Sequence, residues 1–225
     1  MSRVLITRPQ PDADATAALL AAAGHEPLVH PLMRIEARAV RWPAADALAF
    51  TSANGVRAYA GPPLPAWCVG EASAAAARSA GLTVAGVAGG DVASLAALIA
   101  AAAPGRVLHP SGAASAGDLA GALEAAGTSA ERVVAYDAVA ETSLPDGAAR
   151  VIGRAEWAAL FSPRSARLLT RLAQDAGAAE AFESVRLAAL SQAVAEATDL
   201  PFAHVRVAVR PASSALVDII SGRDT

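Results

Sequence analysis

The sequence predicts an α/β protein built on doubly wound parallel sheets. Short, continuous apolar runs recur along the chain, and Ala- and Leu-rich helical stretches separate them. Several of those stretches close on glycine. Runs without polar alternation suit strands buried on both faces. Strands that alternate with helices imply parallel pairing through crossover helices.

The first run is Val4-Leu5-Ile6, and the helical stretch after it stops at Gly24. Ala47 to Phe50, Trp67-Cys68-Val69 and Val107-Leu108-His109 come next, with further helix stops at Gly81 and Gly127. Ala158 to Phe161, Leu187 to Leu190 and Val205 to Val209 complete the set. Glycine just past a helix end takes the left-handed conformation that closes the last turn. Gly61 to Pro65 (Gly-Pro-Pro-Leu-Pro) reads as a stiff connector. Ile35 to Pro43 and Tyr136 to Pro145 read as crossovers between two halves of the molecule.

The units repeat. Arg3-Val4-Leu5 and Gly24 recur as Arg106-Val107-Leu108 and Gly127 at an offset of 103. Ser52 and Arg57 recur as Ser162 and Arg167 at an offset of 110, and Val69-Gly70-Glu71 recurs as Leu190-Ser191-Gln192 at an offset of 121. The order is A-B-C-A-B-C. Two tandem halves, and domains interleaved across the repeat boundary, both fit it.

Composition bounds the function. Of 225 residues, 63 are alanine and only 4 % are aromatic, so the core must come from close helix packing on Val, Leu and Ile strands. All 18 basic residues are Arg; against 21 acids the net charge is −3, which gives no electrostatic case for nucleic acid. One cysteine excludes a disulfide framework and a cysteine-rich metal site. The longest apolar run, Leu95 to Ala103, is far short of the ~20 residues that span a bilayer. No signal-peptide core follows Met1, so the expectation is a soluble cytoplasmic protein without membrane contact.

Ligands of open α/β sheets sit where strand ends lead into helices. Reading those positions gives Thr7-Arg8-Pro9, Thr51-Ser52-Ala53-Asn54-Gly55, Gly70-Glu71-Ala72-Ser73, Pro110-Ser111-Gly112, Tyr136-Asp137, Ser162-Pro163-Arg164, Ser191-Gln192 and Arg210-Pro211. Small hydroxyl residues there cap helices. The same geometry offers N–H groups and positive helix ends to an anion. Dinucleotide, Walker A and nucleophile-elbow motifs are missing. His25, His30, His109 and His204 are scattered without ligand spacing, and Cys68 lies inside an apolar run as a small core residue. No metal or other cofactor is expected.

Several segments in order carry a resemblance: Val4 to Pro9, Leu19-Leu20 with Gly24, Pro31-Leu32, Phe50 to Val56 and Val69 to Ala74. Gly127, Val133 to Tyr136, Phe161-Ser162-Pro163 and Ala208 to Pro211 continue it. The chain resembles the uroporphyrinogen-III synthase family over essentially its whole length. The resemblance implies two flavodoxin-like lobes with parallel sheets, joined by a two-stranded linker, with an open cleft between them. One lobe would be discontinuous, residues 1–36 with 143–225; the other would be residues 38–140.

The family closes hydroxymethylbilane, a linear tetrapyrrole with eight carboxylates, into uroporphyrinogen III. Water is lost and the last ring is inverted through a spiro intermediate, without a cofactor. By resemblance, Tyr136 assists departure of the hydroxyl group. Ser52, Ser73 and Ser162, with backbone N–H groups at Gly70, Gly112 and Gln192, hold carboxylates, and Arg8 pairs with one of them. The resemblance further implies a monomer, with at most a transient contact with hydroxymethylbilane synthase. Where the family carries Thr after the penultimate strand, this chain has Ser191-Gln192-Ala193-Val194. That departure keeps a second reading open, a non-catalytic two-lobe paralogue that binds a tetrapyrrole.

Overall fold

A computed structural model describes residues 1–114, 117–144 and 148–223. The chain divides into two compact units, one of residues 1–34 with 139–225 and one of residues 35–138.

Unit 1 carries a five-stranded sheet. Its strands are β1 (Arg3–Ile6), β2 (Glu26–Val29), β9 (Trp157–Leu160), β10 (Arg186–Ala189) and β11 (His204–Val207), in the spatial order β11-β10-β9-β1-β2. All four pairings are parallel. Val4, Ile6, Leu20, Trp157, Ala159, Leu216 and Ile219 form one buried cluster against α1 (Asp12–Ala22) and α9 (Ser213–Ile220). Each large aliphatic chain buried this way contributes about 1.5–3 kcal/mol.

Unit 2 carries β4 (Ala47–Phe50), β5 (Ala66–Cys68), β6 (Val84–Val87), β7 (Val107–Gly112) and β8 (Ala130–Ala140), with β3 (Met33–Ala37) at one edge. The spatial order is β3-β8-β7-β4-β5-β6, and β8, β7, β4, β5 and β6 pair in parallel. Apolar clusters lie on both faces. Leu95, Ile99, Leu119 and Leu123 cover one face from α4 (Val92–Ala102) and α5 (Leu119–Ala125). Val56, Ala74 and Ala77 cover the other from α2 (Ala53–Ala58) and α3 (Glu71–Ser79). Burial on both faces explains why the central strands read as unbroken apolar runs.

The repeat is interleaved. β1 and β7 are equivalent at the offset of 103, β4 and β9 at 110, and β5 and β10 at 121. Each sheet therefore takes its A strand from one repeat and its B and C strands from the other. Both have the same order once this exchange is applied. In each, the direction of strand addition reverses beside the A strand, between β1 and β9 in unit 1 and between β7 and β4 in unit 2.

The chain passes between the two units at 34/35 and at 138/139, at or within the two expected crossovers, and it does so in strands. Ile35 to Pro43 is not all irregular connection, because β3 runs through Ala37 and pairs with β8. Arg38 N–H donates to Ala135 O at 2.8 Å and Glu141 N–H to Leu32 O at 2.9 Å, so the two strands run in opposite directions. Tyr136 lies in β8, which continues to Ala140, so the second passage between the units is made within a strand. Partnership with β3 prolongs the strand. Pro145, the expected end of that crossover, lies outside the described residues. The glycine stops hold: Gly24, Gly81 and Gly127 follow helices with φ of 83°, 78° and 80°.

Candidate functional site

In doubly wound sheets the ligand crevice lies beyond the strand ends at the point of reversal. In unit 2 that point falls where β4 runs into Thr51-Ser52 and β7 ends at Ser111-Gly112. A cavity of about 430 Å³ opens there, lined by Thr51, Ser52, Val69, Gly90, Asp91, Val92, Ser111, Gly112, Ala114 and Tyr136.

Ser52 occupies the N-cap of α2, and its Oγ accepts a hydrogen bond from Gly55 N–H at 3.1 Å. The same Oγ lies 3.0 Å from Tyr136 Oη. Tyr136 is 8 % exposed. It reaches Ser52 across β7 because residue 112 is glycine: a Cβ there would come within 2.8 Å of the Tyr136 ring. Arg132 closes the far side of β7, donating from Nε to Ser111 Oγ at 2.9 Å and from Nη2 to Gly112 O at 2.7 Å. Behind Thr51 lies His109, fully buried in β7, with Nε2 3.0 Å from Thr51 Oγ1. Burial, followed by the charge of Arg132, pushes His109 down to about 4, so the ring is neutral at physiological pH.

Asp91 caps α4 by accepting from Ser94 N–H at 2.8 Å. That hydrogen bond holds its carboxyl below the ordinary range, so an anion stands at the cavity wall. The sequence reading missed both Asp91 and His109. An acid three residues before a helical Ser is the visible signal for the first; a polar residue inside an apolar strand is the signal for the second.

At the corresponding point of unit 1 stands a long side chain. Arg8, which follows β1, stacks its guanidinium 4.2 Å from the Phe161 ring centre. It donates to Asp12 Oδ2 at 3.1 Å, Thr16 Oγ1 at 3.2 Å and Ser213 Oγ at 3.3 Å. The offset of 103 places Ser111 at this position in unit 2, where the small side chain leaves the crevice open. Ser162 caps α7 (Pro163–Asp175), with its Oγ accepting from Ser165 N–H at 3.1 Å. Gln192 Nε2 donates to Glu196 Oε1 at 2.9 Å.

The geometry thus brings Ser52, Gly112 and Tyr136 together in unit 2 and leaves Arg8, Ser162 and Gln192 in unit 1. Gly70 is the N-cap of α3, next to the cavity residue Val69. Ser73 is only 4 % exposed within the same helix. Cys68 is buried in β5, and burial pushes its thiol up to about 11, which leaves it inert. Among the described residues, no three His, Cys, Asp or Glu side chains gather to hold a metal ion. No helix among them is long and apolar enough to cross a membrane.

The family model described as uroporphyrinogen-III synthase HemD matches residues 14–218. The chain belongs to the uroporphyrinogen-III synthase family. As a synthase of this family it is a lyase of tetrapyrrole biosynthesis, and the family acts on hydroxymethylbilane. No curated protein matches the sequence significantly. Among solved structures, the chain is similar to the uroporphyrinogen-III synthetase of Helicobacter pylori, with 15 % identity, 100 % of both chains covered and a TM-score of 0.67. It is also similar to a mutant uroporphyrinogen III synthase of Thermus thermophilus, with 19 % identity, 98 % of both chains covered and a TM-score of 0.54. At these identities the likeness establishes the fold alone: an α/β synthase fold with parallel sheets.

Proposed function

We propose that this synthase closes hydroxymethylbilane with Tyr136 as the proton donor, at the cavity of unit 2. One observation carries the reading: the Tyr136 hydroxyl is held 3.0 Å from Ser52 Oγ at the wall of that cavity. Gly55 N–H already occupies one lone pair of Ser52 Oγ. Ser52 then gives its own proton to Tyr136 Oη, and the Tyr136 proton is left for the substrate.

The terminal hydroxymethyl group must leave as water. Its C–O bond breaks as the oxygen takes the Tyr136 proton, and the pyrrole nitrogen, still carrying its hydrogen, supplies the electron pair, giving an azafulvenium cation and the Tyr136 phenolate. The substituted carbon of the terminal ring attacks to form the spiro intermediate. Fragmentation and reclosure then invert that ring, and the last proton lost returns to the phenolate. Polarised donors aimed at developing charge suit this chemistry. Holding a flexible chain against direct closure is the larger part of the task.

The small polar groups at strand ends support carboxylate binding: the N–H groups about Gly70 and Gly112, and in unit 1 Ser162 and Gln192; Ser52, its hydrogen engaged by Tyr136, serves the proton donor instead. Ser73 is assigned the helix interior rather than the substrate, on its burial. The internal contacts of Arg8 support its acting first as a strap within unit 1. The two compact units serve as the two lobes that the resemblance implies. The enzyme works in the cytoplasm as a monomer, and its unstable substrate reaches it by transient contact with hydroxymethylbilane synthase.

The test is a coupled assay. Hydroxymethylbilane is generated in situ, the protein is added, and the oxidised products are separated into type I and type III isomers. Type III above the spontaneous type I background is expected. Type I alone, from folded protein, sinks the reading.

A further inference from the structure

We infer that His109 is a positioning residue that fixes Thr51 as a hydrogen-bond donor to a substrate carboxylate in the unit 2 cavity. The inference rests on the reading that this cavity receives the polycarboxylate substrate.

His109 is 0 % exposed in the middle of a sheet. The fold does not require a polar side chain there. The equivalent residue of β1, 103 positions earlier, is Ile6, also 0 % exposed. Burying an imidazole where an aliphatic chain serves is unfavourable unless its polar atoms have partners.

Among the described residues the ring has one. Nε2 lies 3.0 Å from Thr51 Oγ1, and Nδ1 is buried without a hydrogen bond. That asymmetry selects the tautomer. With the proton on Nδ1, a buried N–H would have no acceptor, and it would sit in the positive field of Arg132. With the proton on Nε2, the orphan atom is a lone pair, which that field favours. Nε2–H therefore donates to Thr51 Oγ1.

A hydroxyl oxygen that receives a hydrogen bond from behind keeps its own hydrogen to give forward. Thr51 lines the cavity, and the neighbouring Ser52 Oγ receives Gly55 N–H in the same way. The hydrogen of Ser52 is engaged by Tyr136 Oη, whereas that of Thr51 is held as a donor into the cavity. A carboxylate oxygen accepts from such a group. The neutral ring cannot add charge or move a proton itself, so its contribution is orientation.

The experiment compares Thr51→Val, His109→Leu, His109→Gln and the double variant Thr51→Val/His109→Leu. Gln can place its amide N–H near the position of Nε2. Two quantities are read: KM against kcat for hydroxymethylbilane, and equilibrium binding of uroporphyrin, a stable porphyrin with eight carboxylates. Thr51→Val and His109→Leu should each weaken binding roughly tenfold, the loss of one hydrogen bond to a charged group. The change should appear in KM, with kcat within about twofold. The double variant should be no worse than Thr51→Val alone, and His109→Gln should recover most of the affinity. Unchanged affinity in His109→Leu, or effects that multiply in the double variant, overturns the inference. If His109→Leu does not fold, His109→Gln near wild type with Thr51→Val weakened supports it; equal affinities in both overturn it. Wild-type protein that binds uroporphyrin but makes no type III isomer would sink the catalytic reading alone, while the binding series still decides on His109.

Discussion

Ser52 Oγ and Tyr136 Oη lie 3.0 Å apart although 84 residues separate them in the chain. Ser52 follows β4 and Tyr136 lies in β8, strands on either side of β7, and they meet because β7 ends in a residue without a side chain. The contact joins a helix cap to a phenol, so one hydroxyl both stabilises α2 and holds the Tyr136 hydroxyl in place.

Removing the phenol should slow turnover without abolishing it. Tyr136→Phe keeps the ring over Gly112 and loses only the proton donor. Type III formation should fall by roughly a hundredfold, the low end of general acid catalysis, because positioning survives. Ser52→Ala should produce a smaller fall and also lose part of a helix cap, about 1 kcal/mol. The isomer assay and a denaturant midpoint separate the two effects. A wild-type rate in Tyr136→Phe removes that residue from the mechanism.

Gly112→Ala tests the same contact from underneath. The new methyl would stand 2.8 Å from the Tyr136 ring and 3.1 Å from its Oη. The ring must move, and the hydrogen bond to Ser52 goes with it. The rate should fall at least as far as in Tyr136→Phe, although no reacting group has been removed. Combining Gly112→Ala with Tyr136→Phe should add little. A normal rate in Gly112→Ala shows that the ring has no required place.

Much of the fold was legible because the central strands are buried on both faces. β1, β4, β7, β9 and β10 each read as an apolar run. The edges were harder. β2 (Glu-Pro-Leu-Val) is half-buried at every residue, and β6 (Val-Ala-Gly-Val) alternates between half-buried and exposed. Neither makes a continuous apolar signal, and β2 carries a proline that an edge tolerates. Each member of the Ser52–Tyr136 pair was visible at or near a strand end, but their contact was not. It depends on sheet order, which local pattern does not specify. Arg8 was read as a possible substrate contact; its links to Phe161 and Ser213 depend on segments more than 150 residues away.

Arg8→Ala should therefore act mainly on stability. The side chain joins β1, α1 and α9 and covers the Phe161 ring. Its loss should cost about 1–3 kcal/mol through the hydrogen bonds and the cation–π contact. KM should stay within about threefold of wild type. A tenfold rise in KM with an unchanged midpoint would give Arg8 to the substrate instead. Urea unfolding and steady-state kinetics on the same sample decide.

Stability should also depend on pH through His109. Folding moves this ring from an ordinary 6.5 to about 4, because burial and Arg132 oppose its charged form. Between those values the unfolded chain binds a proton that the folded chain refuses. The contribution is fully present above pH 6.5 and is lost as pH falls towards 4, a loss of about 3 kcal/mol in all. His25 is shifted in the same direction, chiefly by burial, and carboxylates titrate at the lower end of the window. These groups are common to wild type and variant, so the difference between two curves isolates His109. Urea midpoints at pH 4, 5, 6 and 7 for wild type and His109→Gln should converge at low pH and separate as pH rises, with the shallower slope in the variant. Parallel curves would mean that the ring titrates normally in the folded protein and would overturn the prediction.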